Sequence, residues 1–236
     1  MEPLVAVVIP AYDEASRIGS VLDKWPNDGR FEAIVVDDGS SDGTAQAARA
    51  HGAAVVMGWE VNRGAGAAIR AGWECGIERR RPYLALVGGD DQHDPRELEA
   101  AMSALAASGA DYVQGSRRMP GGRAVHSWRT RRLANTLYAI AFSALARRRV
   151  SDPSNGFRIF RASLLSEPGI DISQPWLNGY ELEPYLLFKA VRRHRVVEVP
   201  VTVVFHERPA GGLVAAVGSW LRLLRPALLL ALRLRR

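Results

Sequence analysis

Residues 4–9 form an unbroken apolar run rich in β-branched side chains, and residues 31–36, 53–57 and 83–87 repeat the pattern. Runs this short and this continuous predict strands covered on both faces. Between them the apolar positions switch to helical spacing. Ile18, Val21, Leu22 and Trp25 show it within residues 16–25, and helices follow over 45–51, 67–78 and 95–108. Pro95 suits a first helical turn, where its missing N–H costs nothing. Residues 111–114 read as a fifth strand. Strands alternating with helices through short loops predict an α/β fold with a mostly parallel sheet flanked by helices. The second half continues with a long helix over 128–148, a turn and strand over 151–160, a helix over 179–192 and a last strand over 196–204.

The polar stretches follow strand C-terminal ends, where open α/β sheets bind their ligands. Gly64-Ala65-Gly66 opens a helix, but Ile69 stands where a dinucleotide fingerprint wants a small residue, and no acid follows at the ribose-reading distance. Close helix–sheet packing is the better reading of these small residues. No Gly-Lys-Ser/Thr phosphate loop occurs. Asp37-Asp38 either accept hydrogen bonds from a base or ribose, or stabilise their own loop through side-chain turns with Gly39 and Gly43. Asp90, Asp91, His93 and Asp94 are the densest metal-like cluster; hard cations take oxygen ligands and share them with substrate phosphates. Asp94 fits a helix N-cap equally well. Two such acidic loops on neighbouring strands favour a nucleotide site.

The chain has 236 residues, of which 47% are hydrophobic and 24% charged, suiting one large domain or a domain with an extension. The single cysteine, Cys75, excludes an internal disulfide and a multi-cysteine zinc site, and agrees with a reducing compartment. A net charge of +6 suggests nucleic acid until it is divided. Residues 1–111 carry 10 basic and 18 acidic side chains, and residues 112–236 carry 21 and 7. The loop-bearing half is therefore acidic, which argues against a nucleic-acid partner. Within the basic half, residues 112–151 hold nine arginines and no acid. Arg147-Arg148-Arg149 also reads as a solvated helix end, and Tyr138, Phe142 and Leu145 read as core ahead of a lipid groove. No basic region precedes the first apolar run, and Asp13 and Glu14 follow closely, so neither a signal peptide nor a spanning helix is expected there. Residues 213–234 are apolar but broken by Arg222, Arg225, Pro226 and Arg233, short of the ~20 residues a spanning helix needs. They read as an amphipathic helix, lying on an anionic membrane surface or packed on its own domain.

Six motifs then fall in a familiar order: Val8-Ile9-Pro10-Ala11-Tyr12-Asp13-Glu14, residues 35–44 (VVDDGSSDGT), Asn62-Arg63-Gly64-Ala65-Gly66, residues 90–95 (DDQHDP), Gly115-Ser116-Arg117 and residues 151–158 (SDPSNGFR). In this order they resemble family 2 glycosyltransferases, and within them the dolichyl-phosphate mannose synthase branch. The resemblance spans about residues 4–208. It implies a GT-A domain over residues 1–208, followed by the basic amphipathic tail over 209–236. It also implies an inverting transfer of a hexose from a nucleotide sugar (GDP-mannose or UDP-glucose type) to a polyprenyl phosphate, by a protein held peripherally on the cytoplasmic face of the membrane. By the family pattern Pro10, Tyr12, Glu14, Val36, Asp38 and Gly89 hold the nucleotide sugar, and Asp90 and Gln92 bind Mg²⁺ or Mn²⁺ and the diphosphate. Arg117 neutralises phosphate, Arg129 or Arg132 and Arg208 meet the acceptor side, and Glu181 or Glu183 lines it. Asp90, Arg117 and Glu183 are the expected catalytic set.

The physical logic runs parallel. A leaving diphosphate gathers negative charge, which a cation and an arginine offset. An acceptor phosphate is already an anion and needs positive charge, not a base; a hydroxyl acceptor needs a carboxylate, for which Glu181, Glu183 and Asp152 are candidates. Two departures from the pattern stand out. Gly88 replaces the first Asp of the usual Asp-x-Asp, with Asp91 as a substitute ligand, and no basic residue follows Arg208 before Arg222. Gly88 also leaves open an inactive nucleotide-sugar-binding module, and a soluble hydroxyl or glycan acceptor is the other alternative.

Overall fold

Inside the main sheet, third from one edge, lies β1 (Val5–Ala11), whose residues from Val5 to Ile9 have no exposed surface. The structure is a computed structural model that describes residues 4–206 and 212–234, the side chains of 212–220 excepted. Alternate residues of β1 serve two cores. Val5, Val7 and Ile9 pack with α1 (Ala15–Asp23), α2 (Thr44–Ala50) and α4 (Glu97–Ser108). Ala6 and Val8 pack with α3 (Ala65–Glu78), α5 (Arg129–Ala146), α6 (Leu182–Arg193) and α7 (Gly212–Ala231). Helices on both faces explain why the strands read as continuous apolar runs.

The remaining strands are β2 (Phe31–Asp38), β3 (Val55–Trp59), β4 (Tyr83–Leu86), β5 (Tyr112–Ser116), β6 (Arg123–Val125), β7 (Arg158–Arg161), β8 (Val196–Pro200) and β9 (Thr202–Val204). Seven of them form one sheet in the order β3-β2-β1-β4-β7-β5-β8, with β7 alone antiparallel to its neighbours. This is the expected GT-A architecture. The last strand, expected over 196–204, divides at Val201: β8 completes the main sheet, and β9 pairs with β6 in a second, two-stranded sheet. β6 gave no sequence signal, since three residues beginning with Arg make no apolar run. The helix expected from residue 179 starts at Leu182.

Tyr138 and Phe142 are core, as read from the sequence. α7 packs on the same core through Ala227, Leu223 and Leu224, and the Tyr138 hydroxyl donates to the Leu223 carbonyl (3.2 Å). No helix among the described residues is long and apolar enough to cross a membrane. Helix α3 lies close to β1 because it carries glycine there: a Cβ on Gly72 meets Val8 Cγ1 at 2.4 Å, and one on Gly76 meets Ala6 Cβ at 2.6 Å. Gly72→Ala is therefore expected to destabilise the chain by about 1–3 kcal/mol through overpacking. Gly29→Ala, with nothing within 4 Å, should stay within about 0.5 kcal/mol of wild type in the same urea titration.

Candidate active site

Strands β1, β2, β4 and β5 end at one edge of the sheet, and antiparallel β7 begins there, with Arg158 opposite both Leu86 and Gln114. That reversal brings residues 151–157 to the edge where the polar loops gather. The loops hold one another. Asp42 Oδ2 accepts from Ala15 N (2.9 Å) and Thr44 Oγ1 from Glu14 N (2.9 Å), satisfying donors at the start of α1. Asp37 accepts from Ser40 N (2.9 Å). Asp38 is buried; its Oδ1 takes Trp59 Nε1 (2.7 Å) and Arg63 N (2.8 Å), and its Oδ2 takes Gly64 N (2.9 Å). The loop-stabilising reading thus accounts for most of this acidic stretch. Oδ2 of Asp38 retains further acceptor capacity beside its one hydrogen bond, from Gly64 N. Val36, expected at the nucleoside, lies in the core beside α3 with no exposed surface. Pro10 and Glu14 are half-buried and Tyr12 is exposed at the end of β1, while Gly89 is packed against Pro10 and Ala11. Gly64-Ala65-Gly66 is not a phosphate cradle. A Cβ on Gly66 meets the carbonyls of Leu177 at 2.0 Å and Gly179 at 2.3 Å, and the Asn178 carbonyl accepts from Ala67 N.

The metal-like cluster disperses. Asp91 adopts positive φ (55°) and turns onto α1, where it accepts from Ser20 Oγ (2.9 Å) and pairs with Lys24 (2.7 Å). It does not substitute for the aspartate missing at Gly88. Asp94 caps the turn into α4 and pairs with Arg96 (2.6 Å). His93 is half-buried, with Nε2 2.7 Å from Asn155 Oδ1 and desolvation of the ring lowering its pKa. Asp90 remains. Its carboxylate accepts one hydrogen bond, from Gln92 N (3.2 Å), and leans over Gly88, where a Cβ would lie 2.7 Å from Oδ1. Gln92 is pinned through its carbonyl to Val204 N (2.9 Å). Among the described residues no three His, Cys, Asp or Glu side chains gather as a metal site. One open carboxylate with an adjacent amide fits a divalent cation that takes its other ligands from water and substrate phosphate. Glu14 stands within electrostatic reach of Asp90; burial raises its pKa, and the Asp90 charge adds to the rise against the pull of Arg17.

The cations fall on the far side. Arg117 is held by Asp152 through Nε (2.6 Å) and Nη2 (2.6 Å), and also donates to Ser154 Oγ (2.8 Å). Burial pushes the Asp152 carboxyl up, but the hydrogen bonds and charge of Arg117 outweigh it and hold it below the usual range. Both oxygens of the Asp152 carboxylate are taken up by Arg117. Arg129 and Arg132 are exposed; the inward arginine of α5 is Arg131, which the sequence reading missed. It stacks over Phe205 at 4.0 Å, with Arg117 over the same ring at 5.9 Å. Arg131 makes no ion pair among the described residues; burial and then the Arg117 charge lower its pKa, against Asp90. The helical period could have found it, one and two turns before Asn135 and Tyr138 on the buried stripe. Arg132 joins Arg117, Arg118, Ser127, Asn135 and Thr136 around a cavity of about 450 Å³ with no acid in its lining. Glu183 pairs with buried Arg158 (2.5 Å), and burial raises its pKa despite that partner. Glu181 is half-buried at the start of α6. Arg208 and the residues just after it lie outside the described residues.

The glycosyl transferase family 2 model matches residues 6–168. An undecaprenyl-phosphate mannosyltransferase of Micrococcus luteus is 33% identical over 227 residues, covering 89% of each chain. A polyprenol monophosphomannose synthase of Mycolicibacterium smegmatis is 35% identical over 220 residues, covering 87% of this chain and 78% of its own. Among solved structures, the glucosyl-3-phosphoglycerate synthase of Mycobacterium tuberculosis, in complex with Mn²⁺, UDP and its product, superposes with a TM-score of 0.71. It is 24% identical and covers 97% of this chain and 80% of its own, a likeness of fold. The chain belongs to glycosyl transferase family 2 and is a glycosyltransferase of the dolichyl-phosphate mannose synthase-like kind.

Asp152 carries a pH signature. Its depressed folded pKa gives stability that is present above the unfolded value near ~3.9 and lost as pH falls through the folded one. Asp152→Asn should lose about 3 kcal/mol at pH 7, because Arg117 is left buried without its counter-charge. Below about pH 4 the variant should lose less further stability than wild type; urea unfolding from pH 7 to pH 3 measures both.

Proposed function

We propose that this family 2 glycosyltransferase transfers a hexose from a nucleotide sugar, of GDP-mannose or UDP-glucose type, to a polyprenyl phosphate at the cytoplasmic face of a membrane, with inversion. The observation that carries this reading is the acid-free cavity lined by Arg117, Arg118 and Arg132, together with Arg131, which makes no ion pair among the described residues. A half-buried guanidinium without a carboxylate is stabilised by an arriving anion, and a phosphate monoester supplies one. The polyprenyl-phosphate enzymes among the relatives support the same acceptor. In the transfer, the bond from the sugar C1 to the diphosphate oxygen breaks, its electron pair leaving with the diphosphate. An acceptor phosphate oxygen forms the new bond to C1 from the opposite face. The Pro10–Glu14 segment and Asp38 hold the nucleoside. Asp90 and Gln92 hold Mg²⁺ or Mn²⁺, which supplies charge neutralisation on the leaving diphosphate. Arg131 and Arg117 orient the acceptor phosphate and offset charge as it approaches.

Glycosyl transfer to a soluble hydroxyl is the second reading, favoured by Glu183, whose pKa burial raises, whereas Arg117 holds that of Asp152 low. Purified chain with Mn²⁺, polyprenyl phosphate and either donor should yield a lipid-linked sugar; no product with any common donor sinks the acceptor assignment. Glu183→Gln keeps a partner for Arg158. It should lower kcat less than about tenfold with a phosphate acceptor, whereas a general base is worth about 10²–10⁴-fold. Arg131→Ala should raise the acceptor KM by at least about tenfold, the worth of a charged hydrogen bond, with donor binding unchanged by calorimetry.

A further inference from the structure

Arg131 is half-buried on α5, yet among the described residues it makes neither an ion pair nor a hydrogen bond. What meets it is the face of Phe205, whose ring centroid lies 4.0 Å from the guanidinium carbon. Phe205 is 4% exposed and directly follows β9. Its place is fixed from two sides. Its own N–H donates to the Val125 carbonyl (3.2 Å), extending the pairing of β9 with β6. On the other side its neighbours are tied to the loop that carries Asp90. Val204 N donates to the Gln92 carbonyl (2.9 Å), Val203 bridges to His93, and His206 Nε2 donates to the Asp91 carbonyl (2.8 Å). The ring is therefore a fixed platform between that loop and α5. Arg117 lies over the same ring at 5.9 Å, but Asp152 already holds it.

We infer that Phe205 is a positioning residue of the acceptor site: its ring face holds the Arg131 guanidinium by a cation–π contact and leaves the N–H groups of that guanidinium open to an oxyanion. For its purpose the inference rests on the phosphate-acceptor reading of the neighbouring cavity. A carboxylate in place of the ring would also fix Arg131. It would occupy the donors and cancel the charge, and an arriving phosphate would have to displace it. An aliphatic wall would desolvate the cation and return nothing. The aromatic face does neither. Its quadrupole attracts the cation without neutralising it, and the N–H donors, which lie in the plane of the guanidinium, are not consumed. Because the ring is anchored through the backbone on both sides, Arg131 is in place before the anion arrives, and less ordering remains for binding to offset.

The test places phenylalanines with one, two and three ring fluorines at position 205 of the full chain. Fluorine withdraws the negative face stepwise while the ring keeps nearly its size. Calorimetry then measures binding of farnesyl phosphate, a short polyprenyl phosphate. Affinity is expected to fall with each fluorine, reaching a loss of about five- to thirtyfold for the trifluorinated ring, the worth of a partly to fully desolvated cation–π contact. Affinity for GDP or UDP with Mn²⁺ and the urea midpoint should stay at the wild-type values, a split that a merely structural ring does not produce. Phe205→Leu, the second variant, should weaken farnesyl phosphate binding likewise. Affinity that is flat across the fluorinated series overturns the inference, as does a Phe205→Leu chain that binds as tightly as wild type. Inorganic phosphate separates this outcome from the acceptor reading. In chain labelled with ¹⁵N-arginine, phosphate should shift the Arg131 Nε–Hε signal, identified by its loss in Arg131→Lys, and more phosphate should be needed as fluorines are added. A signal that phosphate does not move overturns the inference. If the signal behaves as expected but no polyprenyl phosphate binds or accepts sugar, the acceptor reading fails and the positioning role of Phe205 stands. If lipid-linked sugar forms but neither the signal nor the affinity depends on the ring, the acceptor reading stands and the role of Phe205 fails.

Discussion

The guanidinium of Arg158 is 1% exposed, and each of its five N–H donors has a place to go. Nε donates to the Gly156 carbonyl (3.0 Å), and Nη1 to the Tyr112 hydroxyl (3.0 Å) and the Glu183 carbonyl (3.1 Å). Nη2 donates to the Asn155 carbonyl (2.8 Å) and Glu183 Oε2 (2.5 Å). A buried cation costs several kcal/mol unless its partners are complete, so the surroundings of Arg158 are fixed together. Residues 152–156 are folded back over the sheet edge, and the first turn of α6 is held in place. From that loop Asp152 fixes Arg117, and Asn155 fixes His93 and, through it, the segment that carries Asp90 and Gln92. The two halves of the site, one acidic and one basic, are joined through this one buried charge.

The same requirement sorts the acids. A half-chain with eight more acids than bases suggests a strongly negative site, yet most of its loop carboxylates are occupied. Asp37, Asp38 and Asp42 brace loops and helix starts, Asp91 is tied to Lys24, and Asp94 to Arg96. Among the described residues the Asp90 carboxylate is left with a single hydrogen bond. On the basic side Arg117 is neutralised by Asp152, while Arg131 stacks on Phe205 and makes no ion pair among the described residues. What the site offers a ligand is therefore much smaller than its composition: among the described residues, Asp90 as an open carboxylate, and Arg131 as a half-buried guanidinium without an ion pair within its electrostatic reach.

This sorting marks how far the sequence could be read. The sheet was legible because strands covered on both faces must be apolar throughout, and the strand ends located the site. The direction of Asp91 was not legible. It differs from Asp90 by one residue, and its left-handed backbone sends the carboxylate to α1. Nor was the choice among Arg129, Arg131 and Arg132, although the buried period of α5 contains the answer. Arg158 was quoted within a motif without a role, because arginine is mostly a surface residue and nothing in residues 151–158 announces that this one is buried.

Helix α5 connects these points to the setting of the reaction. At 18 residues it is about 27 Å long. One face inserts Tyr138 and Phe142 into the core and carries Arg131 toward Asp90. The opposite face exposes Leu133, Leu137 and Ile140, and Arg132 lies between the two, on the wall of the cationic cavity. An acceptor with a small anionic head and a long apolar tail is matched by such a helix. The head is drawn into a cavity where its charge is compensated, while the tail remains where burying it costs nothing. A soluble hydroxyl acceptor uses neither the cationic lining nor the exposed stripe, and leaves both without a physical reason.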